Sequence, residues 1–431
     1  MKVAFETLGC KVNHYESEAL KTMFEGRGYT LTDFSDFSDI YVINTCTVTN
    51  QSDAKSRKMI RKAARRNPEA VIAVIGCYAQ IDSQTIADID GVDIVMGTVN
   101  RPRLLEYVER FLRERKPIKD ISETKGLKAF DALKLDHFEK NTRAFLKIQD
   151  GCNQFCSYCI IPFARGPIRS KPKAEVISEA KELVNRGYRE IVLSGIHTGG
   201  YGSDLEDTSF YDLLKDLSEI EGLQRLRISS IEINQLTEDI LELIKNRPVF
   251  ARQLHIPLQH GSTEVLTHMR RRYTVDEYKE KIAHIREKMP MIAITTDIIV
   301  GYPTEDEAAF ETMMDTVRDV NFSELHVFPY SKRGGTKAAK EKHQVHGAVK
   351  SRRVNDLITL GERLAKQYRK TLMEKDIPLD VLIEECKDGL CEGHTSEYIR
   401  VQLESNEPLE NTMQTIKLTY ADYPVSEGKR L

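Results

Sequence analysis

The stretch Gly151-Cys152-Asn153-Gln154-Phe155-Cys156-Ser157-Tyr158-Cys159 carries three cysteines at C-x3-C-x2-C spacing. Thiolates are the usual protein ligands of iron–sulfur clusters, and three of them can bind three corners of a cubic [4Fe-4S] cluster. The fourth iron then has no protein ligand and is free to bind a small molecule. A zinc site would normally close with a fourth Cys or His nearby, and none follows here. The spacing therefore predicts a cluster with one open iron, with three merely packed cysteines as the minor alternative.

Three further cysteines, Cys10, Cys46 and Cys77, each end an apolar, β-branched stretch within residues 1–135. Helical patterns at about 14–27 and 52–66 separate these stretches, which predicts parallel strands with crossover helices in an N-terminal α/β domain. Ligands of open α/β sheets bind beyond the carboxyl ends of the strands, where the three cysteines could meet. Spacing alone also fits three buried structural cysteines, since cysteine is often packed as a small apolar residue.

Strand and helix patterns alternate from residue 136 to residue 368. Six βα units predict a partial (βα)6 TIM-like barrel with its chemistry at the carboxyl ends of the strands, and the three-cysteine loop follows the first strand. Polar residues follow the strands near His197, Glu232, Gln259 and Gly301, and they are expected at the same open end of the barrel, its mouth. Each of these segments also fits an ordinary turn. His197 and His260 receive no catalytic role. The strands are predicted at 143–148, 189–194, 224–229, 252–257, 292–300 and 322–328.

An amphipathic helix is predicted over about 347–374, and short alternating stretches follow it. They predict a small antiparallel β-barrel over residues 369–431. The C-x4-C pair Cys386 and Cys391 has no further partner and is expected to be two structural thiols.

The charge of the C-terminal segment bears on nucleic-acid binding. Residues 370–431 hold seven Lys/Arg and thirteen Asp/Glu, a net charge of −6. This negative charge opposes electrostatic binding of RNA by the segment. RNA could still be contacted through shape complementarity or through the aromatic residues Tyr398, Tyr420 or Tyr423.

Length and composition fit a soluble, multidomain enzyme. A chain of 431 residues exceeds one hydrophobic core, so two or three domains are expected. The apolar runs are too short to span a bilayer, and the N-terminus enters a strand without a signal core. Eight cysteines in this setting indicate ligands or free thiols in a reducing, cytoplasmic compartment, not a disulfide framework. No membrane partner is expected.

Positive charge is local, because the net charge of the chain is −3. The helix at 52–66 is strongly basic and lies next to Cys46, so it is either a solvated face or a phosphate-contacting surface. Two further basic stretches are either a rim for polyanion docking at the barrel mouth or solubilising outer residues. They contain Arg165, Arg169, Lys171 and Lys173, and Arg270, Arg271 and Arg272.

Together the three parts resemble the methylthiotransferase family of radical SAM enzymes along nearly the full chain. Within it they resemble the clade acting on N6-threonylcarbamoyladenosine in tRNA (the MtaB type). Lys11-Val12-Asn13 fits neither the Gln-Met-Asn usual in the isopentenyladenosine clade nor the Pro-Lys-Asn of the ribosomal-protein clade. The motifs are Leu8-Gly9-Cys10-Lys11-Val12-Asn13-His14-Tyr15-Glu16-Ser17-Glu18, Gln149-Asp150-Gly151-Cys152, Ala164-Arg165-Gly166 followed by Ile168-Arg169-Ser170, and His326-Val327-Phe328-Pro329-Tyr330-Ser331-Lys332-Arg333.

The resemblance implies a radical SAM barrel, a C-terminal TRAM domain and two [4Fe-4S] clusters. Cys152, Cys156 and Cys159 would hold the cluster that cleaves S-adenosylmethionine (SAM), and Cys10, Cys46 and Cys77 an auxiliary cluster that carries the sulfur. Tyr158 would lie by the SAM adenine. Gly195, Gln259 and Gly301 would line the SAM site.

The implied reaction places a methylthio group on C2 of the modified adenosine at tRNA position 37. One SAM would serve as methyl donor and a second as the source of a 5′-deoxyadenosyl radical. The implied partners are the tRNA anticodon loop and an electron donor protein, and the sulfur source is left open. The alternatives are a methylthiotransferase for isopentenyladenosine tRNA or for a ribosomal protein, and a non-catalytic iron–sulfur protein that binds RNA or senses redox state.

Overall fold

The N-terminal part is a six-stranded sheet that is parallel throughout, in the order β2-β1-β3-β4-β5-β6. The computed structural model describes residues 1–131, 133 and 142–431. All residues of β3 and β4 are buried, as expected for central parallel strands that helices cover on both faces. The strands are β1 Lys2–Thr7, β2 Thr30–Thr32, β3 Ile40–Thr45, β4 Val71–Gly76, β5 Ile94–Met96 and β6 Ile118–Asp120. The helices are α1 Lys11–Gly26, α2 Asn50–Arg66, α3 Cys77–Ile81, α4 Ser83–Ala87 and α5 Leu104–Glu114.

The central part is a partial barrel of six parallel strands, built as two sheets, β7-β10-β11 and β12-β13-β14. Outward residues such as Leu146 and Leu193 are buried under the helices, whereas inward positions carry polar residues such as Glu190 and Asp297. The strands are β7 Arg143–Lys147, the short pair β8 Gln149–Asp150 and β9 Arg169–Ser170, β10 Glu190–Ser194, β11 Arg225–Ile228, β12 Gln253–His255, β13 Ala293–Val300 and β14 Glu324–Pro329. The helices are α6 Ile161–Arg165, α7 Lys173–Asn185, α8 Phe210–Ser218, α9 Glu238–Asn246, α10 Thr263–His268, α11 Val275–Lys288 and α12 Glu307–Val320.

The C-terminal part is a closed five-stranded barrel in the order β15-β16-β17-β19-β18, preceded by the long helix α13 Gly347–Glu374. Its strands pair antiparallel except for β17 and β19, which are parallel. The prediction of a wholly antiparallel barrel is therefore wrong at that one pair. The strands are β15 Leu379–Lys387, β16 Leu390–Thr395, β17 Arg400–Glu404, β18 Met413–Tyr420 and β19 Val425–Arg430.

This small barrel packs against the amino-terminal end of the central barrel. Arg225 donates hydrogen bonds to the carbonyl oxygens of His394 and Asp380, at 3.1 and 2.7 Å. Arg227 donates in the same way to the carbonyl oxygens of Ser396 and Thr395. The C-terminal barrel thus covers the end of the central barrel opposite the cysteine loop.

The two aromatic residues Tyr398 and Tyr423 make contacts within the chain. The Tyr398 ring lies 4.8 Å from the guanidinium of Arg227, and the Tyr423 ring lies 5.0 Å from that of Arg369. Tyr420 alone of the three tyrosines considered for RNA stacking is exposed, at 54%. Tyr398 and Tyr423 are half-buried against these arginines, so of the three rings Tyr420 is the exposed one.

Cys386 and Cys391 form a disulfide, so the prediction of two structural thiols is wrong. They face each other in register on β15 and β16, with their Cα atoms 4.1 Å apart. Spacing along the sequence did not reveal this, because the pairing depends on the hairpin between the two strands.

The predicted strands and helices of the fold class are confirmed, whereas the exact domain limits remain predictions. The limit near residue 135 lies among residues 134–141, outside the described residues. The limit near 368 lies within α13, which runs on to Glu374. Within the described ranges, no helix combines the length and apolar character needed to cross a bilayer.

Candidate active site between two groups of cysteines

Cys10, Cys46 and Cys77 lie together at the carboxyl edge of the N-terminal sheet. Cys10 is exposed, the other two are buried, and none of the three is in a disulfide. The three thiols interact electrostatically with one another. Gly9 has φ +113°, and a Cβ there would lie 2.8 Å from Cys46 Cβ and 3.1 Å from its Sγ. Only glycine permits this close approach of two strand ends, which brings Cys10 beside Cys46.

Burial keeps the deeper thiols of this group protonated in the absence of a cation. It raises the pKa of Cys46 above its ordinary value, and it raises the pKa of Cys77 to about 11 although Arg165 opposes the shift. Metal binding replaces the thiol proton, so three free, clustered thiols are a suitable donor set for an iron–sulfur cluster.

Cys152, Cys156 and Cys159 form the second group, in the loop that follows β8. All three are half-buried free thiols. The loop is tightly held: the Cys152 amide donates to the Gly166 carbonyl at 3.0 Å, and the Cys159 amide to the Cys156 carbonyl at 3.0 Å. Burial raises the pKa of Cys152 to about 11, and burial and the Cys156 thiol raise that of Cys159 to about 12. This group also has the donor set that an iron–sulfur cluster requires.

Ser157 fixes this loop to the barrel wall through both its backbone and its hydroxyl group. Its amide donates to the Met269 carbonyl at 3.0 Å, and its carbonyl accepts from the Ala338 amide at 2.8 Å. Its hydroxyl lies 2.8 Å from the Tyr302 hydroxyl. The loop is therefore held in place by residues that follow β12 and β13, and by the segment after β14.

Arg165 connects the two groups of cysteines. Its Nε donates to Cys77 Sγ at 3.2 Å, its Nη1 donates to Glu16 and Asp150 at 2.9 and 3.0 Å, and its Nη2 donates to Asn13 at 2.7 Å. Asp150 is two residues before Cys152, so one guanidinium reaches from the first group to the base of the second loop.

The carboxylates of this connection are fully buried and strongly compensated. Burial alone would raise the pKa of Glu16, but Arg101, Arg165 and Lys147 lower it to about 2. Lys147 lies 2.7 Å from both Glu16 and Asp150. Removing one partner of such a network leaves an uncompensated buried charge, so the network fixes how the two domains meet.

No three His, Cys, Asp or Glu side chains within the described ranges are grouped to hold a single metal ion.

The comparisons with known proteins agree with this geometry. Residues 2–97 match the model of Uncharacterized protein family UPF0004, and residues 146–317 match that of the Radical SAM superfamily. Threonylcarbamoyladenosine tRNA methylthiotransferase MtaB of Bacillus subtilis is 46% identical over 99% of this chain and 96% of its own length. The chain belongs to the radical SAM methylthiotransferase family.

Other relatives of this methylthiotransferase are named after two different modified adenosines. The MtaB protein of Aquifex aeolicus is 39% identical over 89% of this chain and 93% of its own length. The tRNA-2-methylthio-N(6)-dimethylallyladenosine synthase of Carboxydothermus hydrogenoformans is 34% identical over 96% of this chain and 95% of its own length. Radical SAM methyltransferase TsrM of Kitasatospora setae, solved with cobalamin and a [4Fe-4S] cluster, shares the fold at TM-score 0.58 and 14% identity over 78% of this chain and 77% of that one.

The residues expected to line the SAM site of the methylthiotransferase lie in the cysteine loop or at strand ends of the central barrel. Tyr158 is half-buried against an apolar group that includes Tyr302. Gly195 follows β10, two residues before His197, whose ring lies 3.3 Å from Gln154 of the loop. Gln259, with φ +67°, bridges to Ile298 on β13. The structure thus places Gly195 and Gln259 at strand ends around the mouth.

Gly301 follows β13 and has φ +76°. A Cβ there would lie 2.1 Å from Lys350 Cγ, so the space in front of this glycine is taken up by the side chain of Lys350. The amide of Gly301 donates a hydrogen bond to the Glu305 carboxylate at 2.8 Å, and Glu305 also contacts the His260 ring at 3.0 Å. The close approach that requires glycine here is therefore made to α13.

The two histidines without an assigned role have structural partners. The His260 ring is fully buried between Glu305 and the Ser262 amide, so it supports the turn after β12. The His197 ring lies 2.7 Å from Gln235, and burial lowers the pKa of His197. Both side chains therefore have hydrogen-bond partners within the barrel.

A cavity of about 310 Å³ opens beside the cysteine loop. Arg271 at its wall donates to Cys156 Sγ at 3.5 Å and pairs with Glu232. Arg270 and Arg272 at the same wall are exposed. Two of these three arginines therefore lie exposed at the mouth, where the rim interpretation expects them, while Arg271 faces Cys156.

The basic stretch after the cysteine loop is neither a rim nor a solubilising surface, so both of its predicted roles are wrong for three of its residues. Arg165, Arg169 and Lys171 are buried, and Lys171 pairs with Glu179. Sequence reasoning missed this role because Glu16, one of the partners of Arg165, is 149 residues away in the sequence.

Proposed function

We propose that this methylthiotransferase installs a methylthio group at C2 of N6-threonylcarbamoyladenosine at position 37 of tRNA. The observation that carries the proposal is the pair of free cysteine groups that Arg165 connects. A carbon radical formed at one group must meet sulfur held at the other before it meets solvent, and two adjacent groups satisfy this requirement. The substrate follows the name of the Bacillus subtilis relative, which matches nearly the whole chain.

The two groups of cysteines would have different roles. Cys152, Cys156 and Cys159 would hold the [4Fe-4S] cluster that binds SAM, and Cys10, Cys46 and Cys77 would hold the auxiliary [4Fe-4S] cluster. The chemistry that the bound groups supply is reductive cleavage of one SAM, methyl donation by a second SAM and delivery of sulfur. Tyr158, Gly195, Gln259 and Gly301 would form the wall around SAM.

Several side chains of the protein prepare this site. Arg165 and Arg271 donate to Cys77 and Cys156, which stabilises the thiolate form needed for iron binding. The buried pairing of Arg165 with Glu16 and Asp150 holds the N-terminal domain against the barrel. The apolar group around Tyr302 excludes water from one side of the cysteine loop.

The tRNA would approach from the side on which α2 meets the barrel. Asn50, the first residue of α2, donates its amide hydrogen to Ser331 at 2.9 Å, and Arg333 pairs with Asp53 at 2.7 Å. Both barrel residues follow β14, so the basic helix α2 begins at the carboxyl end of the barrel strands. An electron donor protein and a cytoplasmic location complete the proposal.

Mass spectrometry of nucleosides after anaerobic reaction tests the proposal. The reconstituted protein, SAM and a reductant are incubated separately with tRNA bearing threonylcarbamoyladenosine and tRNA bearing dimethylallyladenosine. We expect a methylthio gain only on the first. A gain only on the second would overturn the substrate. If 5′-deoxyadenosine forms without a gain on either tRNA, the search moves to a protein substrate, and if none forms, the result favours the alternative of a non-catalytic iron–sulfur protein.

A further inference from the structure

Asp297 and His326 form a polar pair on the inner wall of the central barrel. They are register partners on the parallel strands β13 and β14, so both side chains project from the same face of the sheet. Ile298 and Val300 point the other way, into the core under the helices, so the polar pair faces the lumen that the strands enclose. His326 is exposed, and the Asp297 side chain keeps 32% of its accessible surface.

Asp297 is held in place by His255 on the neighbouring strand β12. The Nε2 of His255 lies 3.3 Å from a carboxylate oxygen of Asp297, and its Nδ1 lies 2.9 Å from the Thr295 hydroxyl. Gln253 donates to the same hydroxyl at 2.8 Å. Because a carboxylate accepts hydrogen bonds, His255 donates to it through Nε2. Asp297 is therefore a fixed acceptor that remains accessible from the lumen.

His326 has open space in front of it. β14 is the edge strand of its sheet, and His326 lines a cavity of about 280 Å³ between this strand, α13 and Tyr423. The His326 ring centre lies 5.6 Å from that of His255. Within the part of the chain that the structure describes, its ring nitrogens have no hydrogen-bond or ion-pair partner. An imidazole carries at least one N–H group, so His326 offers a donor beside the acceptor Asp297.

The polar pair lies just below the cysteine loop. Ile299, two residues after Asp297 on β13, packs against the same apolar group around Tyr302 as Tyr158 of that loop. Two residues of a strand span about 7 Å, and β13 runs toward the mouth, so Asp297 lies deeper in the lumen than Ile299 by about this distance. The wall is thus apolar at the cysteine loop and polar one step further in.

The proposed substrate matches this change from apolar to polar. C2 and N6 of adenosine flank N1 on one edge of the purine, so a C2 that faces the cysteine loop brings the N6 substituent to the adjoining wall. The threonylcarbamoyl group carries N–H, O–H, carbonyl and carboxylate groups, whereas a dimethylallyl group carries none of these.

We propose that His326 and Asp297 form the subsite for the threonylcarbamoyl group, in which His326 donates to its oxygen acceptors and Asp297 accepts from its N–H and O–H groups. This inference rests on the proposed function and adds the residues that determine specificity. An apolar substituent at the same place would leave a donor and an acceptor without partners, which is how a polar site rejects it.

Equilibrium binding of two RNA stem-loops to the full-length, cluster-containing protein tests the subsite. One carries threonylcarbamoyladenosine in the anticodon loop, and the other carries dimethylallyladenosine at the same position. Polar groups left without partners lower affinity by about 10- to 100-fold, so the wild type should prefer the threonylcarbamoyl stem-loop by this factor. Fluorescence anisotropy measures both affinities.

Variants assign the preference to one side chain. His326→Leu is expected to bind the threonylcarbamoyl stem-loop about 10-fold more weakly and the dimethylallyl stem-loop more tightly than the wild type does. A distorted barrel would weaken both, so opposite changes identify a subsite. His326→Asn keeps an N–H donor and should retain part of the preference. His284→Leu removes a histidine of the outer helix α11 and serves as the matched control, with a wild-type preference.

Chemical modification of the wild-type protein gives a second measurement that needs no variant. Diethyl pyrocarbonate modifies accessible imidazole rings, and peptide mass spectrometry reports the modified fraction of His326. A saturating threonylcarbamoyl stem-loop is expected to protect His326, whereas a stem-loop with unmodified adenosine should leave it reactive. His284 should stay reactive in both complexes.

Three results would overturn the inference. They are a wild-type protein without a preference between the two modified stem-loops, a His326→Leu protein that keeps the full preference, and equal modification of His326 in the threonylcarbamoyl and unmodified complexes. Failure of the proposed function gives a different result, a methylthio gain only on dimethylallyladenosine in the wild type, which the nucleoside assay detects independently of these measurements.

Discussion

The Nε of Arg165 donates a hydrogen bond to the sulfur of Cys77 across 3.2 Å, inside a fully buried contact between two domains. The same guanidinium pairs with Asp150, which is two residues before the first cysteine of the second group. A single side chain therefore contributes to the charge at one cysteine group and to the position of the other.

Arg165→Met is expected to lose the auxiliary cluster before the SAM-binding one. The substitution removes the donor to Cys77 and leaves Glu16 and Asp150 with fewer cations. Breaking a buried ion pair in this way lowers the folding stability by about 3–5 kcal/mol. Iron analysis should show about half of the wild-type iron, and methylthiolation should be lost while some SAM cleavage remains.

Two comparisons support the interpretation of that variant. Arg113→Met removes an exposed arginine and should behave as the wild type. Arg165→Lys keeps the charge but not the fork of donors, so it should recover only part of the iron. Full iron content and full methylthiolation in Arg165→Met would show that the contact to Cys77 does not support the auxiliary cluster.

Acid should destabilise the floor of the central barrel through Glu190. Burial alone would raise its pKa, but Arg227, Arg225 and Arg143 lower it from the ordinary 4.5 to about 2. A group whose pKa is lowered on folding stabilises the protein above its unfolded pKa and loses this contribution as the pH falls toward the folded pKa. The unfolding midpoint temperature Tm should therefore drop between about pH 4.5 and pH 2.

Glu190→Gln tests this assignment, since glutamine cannot ionise. Its Tm should be lower than that of the wild type at pH 7, because two arginines lose their partner, and the gap should narrow at low pH. Scanning calorimetry at pH 7, 4 and 3 measures both. A gap that stays constant over this range would place the acid sensitivity in other carboxylates, such as Asp150.

Reversing charge on α2 should weaken tRNA binding. Lys55, Lys58 and Lys62 are exposed on this helix, which starts beside Ser331 at the barrel mouth. Each lost phosphate contact lowers the slope of log K against log salt concentration by about 0.7–0.9. The triple Lys→Glu variant should therefore show weaker binding and a shallower slope in filter-binding titrations.

A second triple variant controls for total charge. Lys116→Glu, Lys245→Glu and Lys370→Glu change the net charge by the same amount at exposed positions outside α2. This protein should keep most of the wild-type affinity and slope. If both triple variants weaken binding equally, α2 acts only through the overall charge and not as a contact surface.

The sequence predicted the features that depend on periodicity and on strand ends. Cys10, Cys46 and Cys77 were placed at one edge of a parallel sheet because each follows an apolar strand pattern, and the structure brings them together. The buried Arg165 could not be foreseen, since its partners Glu16 and Asn13 come from a distant segment and arginine is mostly a surface residue. The disulfide between Cys386 and Cys391 likewise depends on strand register, which spacing does not report.

Docking of the C-terminal barrel should depend on Tyr398. Its ring lies 4.8 Å from the guanidinium of Arg227 and 5.5 Å from that of Arg143, both inside the central barrel. Cation–π contacts of this kind contribute about 0.5–2 kcal/mol each, so Tyr398→Ala should loosen the contact between the two barrels. Hydrogen exchange should then speed up at the amides of Thr395, whose carbonyl group Arg227 binds, and of Ile399, which donates to the Thr395 hydroxyl. Tyr420→Ala removes an exposed ring of the same domain and should leave the exchange unchanged. Equal exchange in both variants would mean that the backbone hydrogen bonds from Arg225 and Arg227 are enough to hold the C-terminal barrel in place.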